Sequence, residues 1–367
     1  METTTPNRLL SLDALRGFDM FWIIGGEGIF HALKNYTGFP LFVLMSDQLE
    51  HVEWNGFHFY DLIFPLFLFL SGVTMPFSLK SQLEKGVPKR KIYLKVVRRA
   101  ALLVFFGIIY NGLNDWNYSN IRFASVLGHI GIAYLLAAII FLNTNWKQQL
   151  YWVTGILIGY WAIQNFIPVP GFGAGVLTKE GSINGFIDRI LLPGKLYLGI
   201  HDPEGWLVKI SAAATALIGA LTGSFIKNDK IKSSTKVGYL FSAAISLLIL
   251  SSLLNYIYPI NKNLWTSSFA LHTAGWSILL LTIFYLVIDV LNYKKWTFFF
   301  VVIGMNSITV YLASSLIDYS HTVNKIFGGF IGWFDKGIQP AIFECFVIMI
   351  EWTLLYILYK KKMFLRV

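Results

Sequence analysis

Charge is scarce in this chain. Only 14% of its 367 residues are Asp, Glu, Lys or Arg, against about a quarter in soluble domains, which excludes an ordinary water-soluble globule. Cysteine is scarcer still. Cys345 stands alone, so an internal disulfide and a cysteine-based metal cluster are both excluded, and its apolar neighbours read as protein core. Phosphate-binding loops, zinc signatures and serine nucleophile elbows are missing, and no metal site is expected. The "GGEG" of residues 25–28 has no preceding strand and reads as a place where helix backbones approach closely. There is no internal repeat and no low-complexity tract, so one domain over residues 1–367 is expected. No cleavable signal peptide is expected either. The first apolar stretch is broken by Asp19 and Glu27 and reads as an uncleaved first helix.

What the chain does hold is apolar and aromatic. Hydrophobic residues make up 55%, with 31 Phe, 18 Tyr and 12 Trp, as expected where rings anchor at membrane interfaces. A spanning helix needs about 20 mostly apolar residues. Ten segments qualify: 14–34, 58–79, 97–115, 123–142, 149–167, 206–226, 237–258, 265–291, 297–317 and 339–359. The expectation is an all-α, polytopic membrane protein of about ten transmembrane helices. The net charge of +10 does not point to nucleic acid, because the basic residues sit between apolar spans. With both termini placed in the cytoplasm, 21 of the 30 Lys and Arg fall on the inner side, eight of them between Lys80 and Arg99. That agrees with the positive-inside rule. The connections at about 35–57 and 168–205 are then external, and long enough to carry function. The aromatic and aliphatic content of 168–205 reads as a folded loop.

Ionisable groups inside a bilayer are costly and usually face a partner or a cavity. The chain places Asp19, Glu27, Asp61, His129, His272, Glu344 and Glu351 in its apolar segments. Glu344 and Glu351 share a helix face, and pairing with a buried Arg or Lys is the leading expectation. His129 and His272 read as hydrogen bonders between helices. Asn306, in the middle of the ninth segment, can bridge helices or hold a polar ligand. The densest polar cluster opens the second segment, in "HVEWNGFHFYDLIFPLFLFLSG" of residues 51–72, where His51, Glu53, Asn55, His58 and Asp61 fall within eleven residues. His58 and Asp61 are three apart, on one helix face. A carboxylate beside an imidazole fixes its tautomer and raises its basicity.

Several stretches together resemble one family. "SLDALRGFDM" (11–20) is similar to the opening helix of transmembrane acyltransferases. "HVEWNGFHFYDLIFPLFLFLSG" resembles the signature of the heparan-α-glucosaminide N-acetyltransferase branch. "SVLGHIGIAYL", "HDPEGWL", "LWTSSFALHTAGW" and "GMNSITVY" are similar to later blocks of that branch, in the same order. The chain departs from the pattern at Ile23–Gly28 and at Leu127-Gly128-His129. The resemblance implies transfer of an acetyl group from cytosolic acetyl-CoA to an amino sugar across the cytoplasmic (inner) membrane of a bacterium. It implies His51 as the catalytic centre, facing the exterior, with Asp61 as its helper. His58 is then a bystander. Glu53, Asn55 and Asn306 are candidates for the acceptor side, and Lys89, Arg90, Arg98 and Arg99 for the phosphates of acetyl-CoA. The partners expected are acetyl-CoA, an extracytoplasmic amino sugar or glycan, the lipid bilayer and a second copy of the chain. A multi-pass sugar or acid transporter is the rival class.

Overall fold

A computed structural model describes residues 9–112 and 121–365. In chain order its helices are α1 (Leu10–Phe21), α2 (Glu27–Thr37), α3 (Pro40–Gln48), α4 (Tyr60–Val73), α5 (Ser81–Glu84), α6 (Lys89–Gly112), α7 (Val126–Asn143) and α8 (Trp146–Phe166). There follow α9 (Ile183–Leu191), α10 (Val208–Lys227), α11 (Ser233–Leu254), α12 (Ser267–Phe284), α13 (Thr297–Met305), α14 (Ser307–Leu316), α15 (Tyr319–Ile331) and α16 (Gln339–Lys360). No strand occurs among the described residues. Wide π-helical turns at Trp22–Gly26 and Pro76–Lys80 join α1 to α2 and lead α4 into α5, and a third, Tyr285–Val290, extends α12.

Each of the ten expected segments contains helix among the described residues; residues 113–115, the end of the 97–115 segment, lie outside them. Six helices are long and apolar enough to cross a membrane: Tyr60–Glu84, Val126–Asn143, Val208–Lys227, Ser233–Leu254, Ser267–Val290 and Gln339–Lys360. The pair α13 and α14, bent by 70° at Asn306, makes a seventh if it forms one span. The other three fall short for visible reasons. The α1–α2 stretch is interrupted at Ile24 and Gly25, where Gly25 takes φ +120°. Helix α6 starts on a run of Lys and Arg, and α8 opens on Trp-Lys-Gln-Gln. That polar start is a capping box, in which Asn145 accepts from the N–H of Gln148 and the Gln148 side chain accepts from the N–H of Asn145.

The chain divides into two compact units that interleave along the sequence. Among the described residues the first takes residues 9–52, His58–Ile63 and residues 280–365; the second takes Glu53–Phe57, residues 64–112 and residues 121–279. In the first unit α1 lies directly on α13. A Cβ at Gly17 would collide with the carbonyl of Phe300, and one at Gly304 with the carbonyl of Asp13. Helices associate in lipid through such close contact, because apolar burial alone gives little drive there. Around the seam the rings of Phe18, Phe21, Trp22, Phe59 and Phe300 meet edge to face. On α16, Trp352 stacks between Phe299 and Tyr356. Helix α15 packs on α16 through Val323 and Val347.

In the second unit α7 packs against α6 and α10. Gly72, Gly219 and Gly223 let α4 and α10 touch backbone to backbone. Trp265 is held at φ +45°, a strained setting for a bulky residue, and is buried against the rings of Phe64, His129 and Phe269.

Two expectations are corrected. Cys345 is exposed, not part of the core. A helix in lipid is apolar on every side, so hydrophobic neighbours do not tell a lipid-facing position from a packed one. His129 is buried, but neither ring nitrogen has a hydrogen-bond partner among the described residues. It packs between the rings of Phe64 and Trp265 instead of bridging helices by hydrogen bonds. His272 does bridge, from Nδ1 to the Ser251 hydroxyl at 2.9 Å, while its Nε2 accepts from the Trp276 indole at 3.1 Å.

Candidate active site

The segment from α3 into α4 folds back on itself in the first unit. The Phe59 N–H donates to the Gln48 side chain at 3.2 Å, and His58 Nδ1 donates to the Glu50 carbonyl at 3.0 Å. The third rung is the informative one. His51 Nδ1 lies 2.8 Å from Asp61 Oδ1. The other oxygen of Asp61 accepts the His58 N–H at 3.1 Å and the Val52 N–H at 3.4 Å. Asp61 sits in the first turn of α4, where the helix dipole favours an anion. Its side chain is 1% exposed and that of His51 is 51% exposed. A buried, fully engaged carboxylate thus fixes a ring that reaches solvent. With Nδ1–H on Asp61, a neutral imidazole carries its lone pair on Nε2. Tyr60 packs its ring on His51 at 4.8 Å between centroids. Its hydroxyl is hydrogen-bonded to Glu27 at the start of α2.

The structure therefore brings His51 and Asp61 together. The spacing of three had matched His58 with Asp61, but α4 starts only at Tyr60. His58 lies outside the helix and gives Asp61 its backbone N–H, while its ring turns to Glu50.

Glu53 and Asn55 belong to the second unit. The Glu53 carboxylate is exposed. Asn55 Oδ1 accepts from Asn261 Nδ2 at 3.0 Å, and the Gly56 N–H donates to the Ile260 carbonyl at 2.9 Å. Gly56 has φ +125°, a turn that favours glycine. Trp54 donates its indole N–H to Leu177 at 2.8 Å and faces His201 edge-on. Asn306 lies in the first unit at the α13–α14 bend, 2% exposed, and neither amide atom has a hydrogen-bond partner among the described residues. Asp19 is likewise buried, with both oxygens unbonded among the described residues.

The four basic residues on α6 do not converge. Lys89 donates to Asn143 at 2.8 Å, Arg90 and Arg98 are exposed, and Arg99 stacks 4.4 Å above the Tyr134 ring. None of them lines the ≈ 980 Å³ cavity where the turn at Pro76–Lys80, α5, α7, α8 and α10 meet, whose cations are Lys80 and Lys227. Glu344 and Glu351 have no Lys or Arg partner among the described residues, so the expected pairing is not found.

Sequence reasoning missed one cluster outright. Arg122 makes two hydrogen bonds to Asp202, at 2.8 and 2.6 Å, and a further one to Glu204. Burial pushes the Asp202 carboxyl up, but the Arg122 guanidinium more than offsets this and holds it below the usual carboxylate range. His201 Nε2 donates to the Asn263 carbonyl at 2.9 Å. Its Nδ1 faces Asp188 Oδ2 at 3.8 Å. The "HDPEGW" block is thus the knot that folds the 168–205 connection. No local spacing announces it, because Arg122 and its partners are about 80 residues apart.

Residues 8–172 match a family model described as a domain of unknown function, DUF5009. Across 99% of its length the chain is 27% identical to heparan-alpha-glucosaminide N-acetyltransferase of Mus musculus, covering 61% of that protein. It is 28% identical to the Homo sapiens protein of the same name, over 99% of this chain and 60% of the human one. The chain is a distant relative of these acetyltransferases. It spans about three-fifths of their length.

Proposed function

We propose that this chain is a membrane-embedded acyltransferase that moves an acetyl group from cytosolic acetyl-CoA to an amino sugar on the outer side of the membrane. The observation that carries the reading is the half-exposed His51, oriented through Nδ1 by the buried Asp61. The names of the relatives support it. In the proposed reaction Nε2 of His51 takes a proton from the acceptor ammonium, and the amine attacks the thioester carbonyl. Alternatively, Nε2 first accepts the acetyl group and passes it on. In both routes Asp61 holds the tautomer and stabilises the imidazolium. Asn306 offers an amide donor for the tetrahedral oxyanion. Glu53 and Asn55 are assigned to the acceptor. The phosphates of acetyl-CoA are assigned to the basic residues of α6, Lys89, Arg90, Arg98 and Arg99, as separate contacts along the helix on the side rich in Lys and Arg.

The ten-span arrangement with both termini inside belongs to the same proposal, as do placement in a bacterial cytoplasmic membrane and a homodimer. A single catalytic domain is favoured by the interleaving of the two units, neither of which is a continuous segment. One observation favours the transporter class. Two helices of the first unit are broken, at Gly25 and at Asn306, and broken helices are common at transport sites.

The test is transfer from labelled acetyl-CoA to glucosamine by purified protein. Wild type transfers label, and His51→Ala reduces transfer by at least about a hundredfold while keeping its melting temperature. Near-normal turnover in His51→Ala overturns the assignment. Glucosamine flux in vesicles without acetyl-CoA, together with no transfer, moves the protein to the transporter class.

A further inference from the structure

The acidic residue beside the His51–Asp61 pair has no part in the chemistry so far. Glu27 opens α2 just after the break in the first helix, and its carboxylate accepts a hydrogen bond from Tyr60, whose ring packs on His51. Glu27 also lies within electrostatic reach of the His51 and His31 rings. Facing it from α16 is Glu344, a second carboxyl within its field. Glu344 fits there because the wall opposite has no side chains. A Cβ on Gly28 would come within 2.9 Å of its carboxyl carbon, and one on Gly25 within 3.3 Å of its Oε2.

Two half-buried carboxyls that repel each other are an unfavourable arrangement unless a cation or a proton joins them. Among the described residues neither forms an ion pair with Lys or Arg. The one lysine on α2, Lys34, is committed to Asp47 at 2.7 Å. His31 is engaged through Nδ1 with Ser46 at 2.7 Å. A separate observation points the same way. Glu351, two turns further along the same face of α16, is 3% exposed, and its Oε2 has no hydrogen-bond partner among the described residues. It interacts electrostatically with Glu344. Carboxyl groups thus gather next to His51, and among the described residues no Lys or Arg pairs with them; the rings within electrostatic reach of Glu27 are those of His31 and His51.

We propose that Glu27, backed by Glu344, is the specificity-determining residue that holds the acceptor's primary ammonium beside His51. This rests on the acyltransferase reading and adds to it the place where the substrate charge is recognised. The ligand class is a primary ammonium, as on a 2-amino sugar; a hydroxyl or an already acetylated amine has no charge to offer. The reaction then balances at this spot. The nitrogen of R–NH3+ sheds two protons as it forms the N–C bond of the amide. His51 takes the first. The C–S bond of the thioester breaks, one proton ends on the CoA sulfur, and the other leaves the site. Conversion to the neutral amide removes the charge that Glu27 holds, so the product is released.

The test uses full-length protein in nanodiscs, with glucosamine as probe and N-acetylglucosamine as neutral control. Expected is a thermal stabilisation of wild type by glucosamine and none by N-acetylglucosamine. Glu27→Gln loses the stabilisation and raises KM for glucosamine about tenfold or more, the cost of one charge-assisted hydrogen bond, leaving KM for acetyl-CoA unchanged. Glu344→Gln shifts the same quantities by less, and Glu27→Asp recovers part of the loss. If both Gln variants bind and acetylate glucosamine like wild type, the proposal is overturned and the acyltransferase reading stands. If glucosamine stabilises wild type but not Glu27→Gln, yet no acetyl transfer occurs, the ammonium site stands and the acyltransferase reading falls. Equal stabilisation by glucosamine and N-acetylglucosamine, or by neither, overturns the proposal.

Discussion

Asp61 is engaged through both oxygens. One oxygen holds His51, the other two backbone N–H groups, and α4 begins over it. Asp188 is the opposite case. Its Oδ1 accepts the Trp206 N–H at 3.0 Å, while the buried Oδ2 has no hydrogen-bond partner among the described residues and faces His201 Nδ1. Burial raises the Asp188 carboxyl to about 6 and lowers His201 to about 4. A raised acid contributes stability that is present below the ordinary carboxylate range and lost as pH rises through about 6. The lowered histidine works against it, since its contribution is present above the usual imidazole range and lost as pH falls through about 4. In wild type the two slopes oppose each other. Asp188→Asn keeps the acceptor for Trp206 and removes only the first. Its melting temperature is expected to climb more steeply with pH between 4 and 6.5, and to exceed wild type at pH 7.5 by the equivalent of about 1–3 kcal/mol. Identical pH profiles for the two proteins would show that Asp188 does not titrate as described. Little of this was legible beforehand. The polar cluster at residues 51–61 stood out by density, but which histidine meets Asp61 depends on where α4 starts. Arg122 and Asp188 gave no local signal, because their partners come from other parts of the chain.

Among the helices, glycine position decides what packs. Gly17 and Gly304 sit where α1 and α13 touch backbone to backbone, whereas Gly155 on α8 and Gly238 on α11 face open space. Gly304→Ala and Gly17→Ala are each expected to lower stability by about 1–3 kcal/mol, the usual cost of overpacking. Gly155→Ala and Gly238→Ala are expected to be neutral or stabilising by up to about 1 kcal/mol through helix propensity. Thermal melts of the four variants check this, and an indistinguishable set would mean that the α1–α13 contact is not tight. The long apolar helices were the most legible elements, because twenty apolar residues leave few alternatives to helix. Breaks inside them were less so. The π-turn at Trp22–Gly26 and the bend at Asn306 depend on packing that hydropathy does not record. Helices α3, α9 and α15 run 9, 9 and 13 residues, too short to register as spans.

For the whole molecule, the distribution of Lys and Arg makes a prediction about sidedness. With Cys345 replaced by Ser, a membrane-impermeant maleimide is expected to label Glu180→Cys in intact cells and Lys230→Cys only after permeabilisation. Labelling of both, or the reverse order, would refute the ten-span arrangement. The interleaving of the two units has a consequence for biosynthesis. The first unit needs both the chain up to Ile63 and the chain from Leu280 on, and α1 lies against α13. At about 5–20 residues per second, roughly 15–55 s pass on the ribosome between the emergence of α1 and that of its packing partner. During that time the Gly17 surface of α1 has no α13 to meet, and a chain that stops early leaves His51 and Asp61 in a unit that never closes. Premature stop codons anywhere before α16 are therefore expected to behave as full nulls, however far they lie from the proposed catalytic pair.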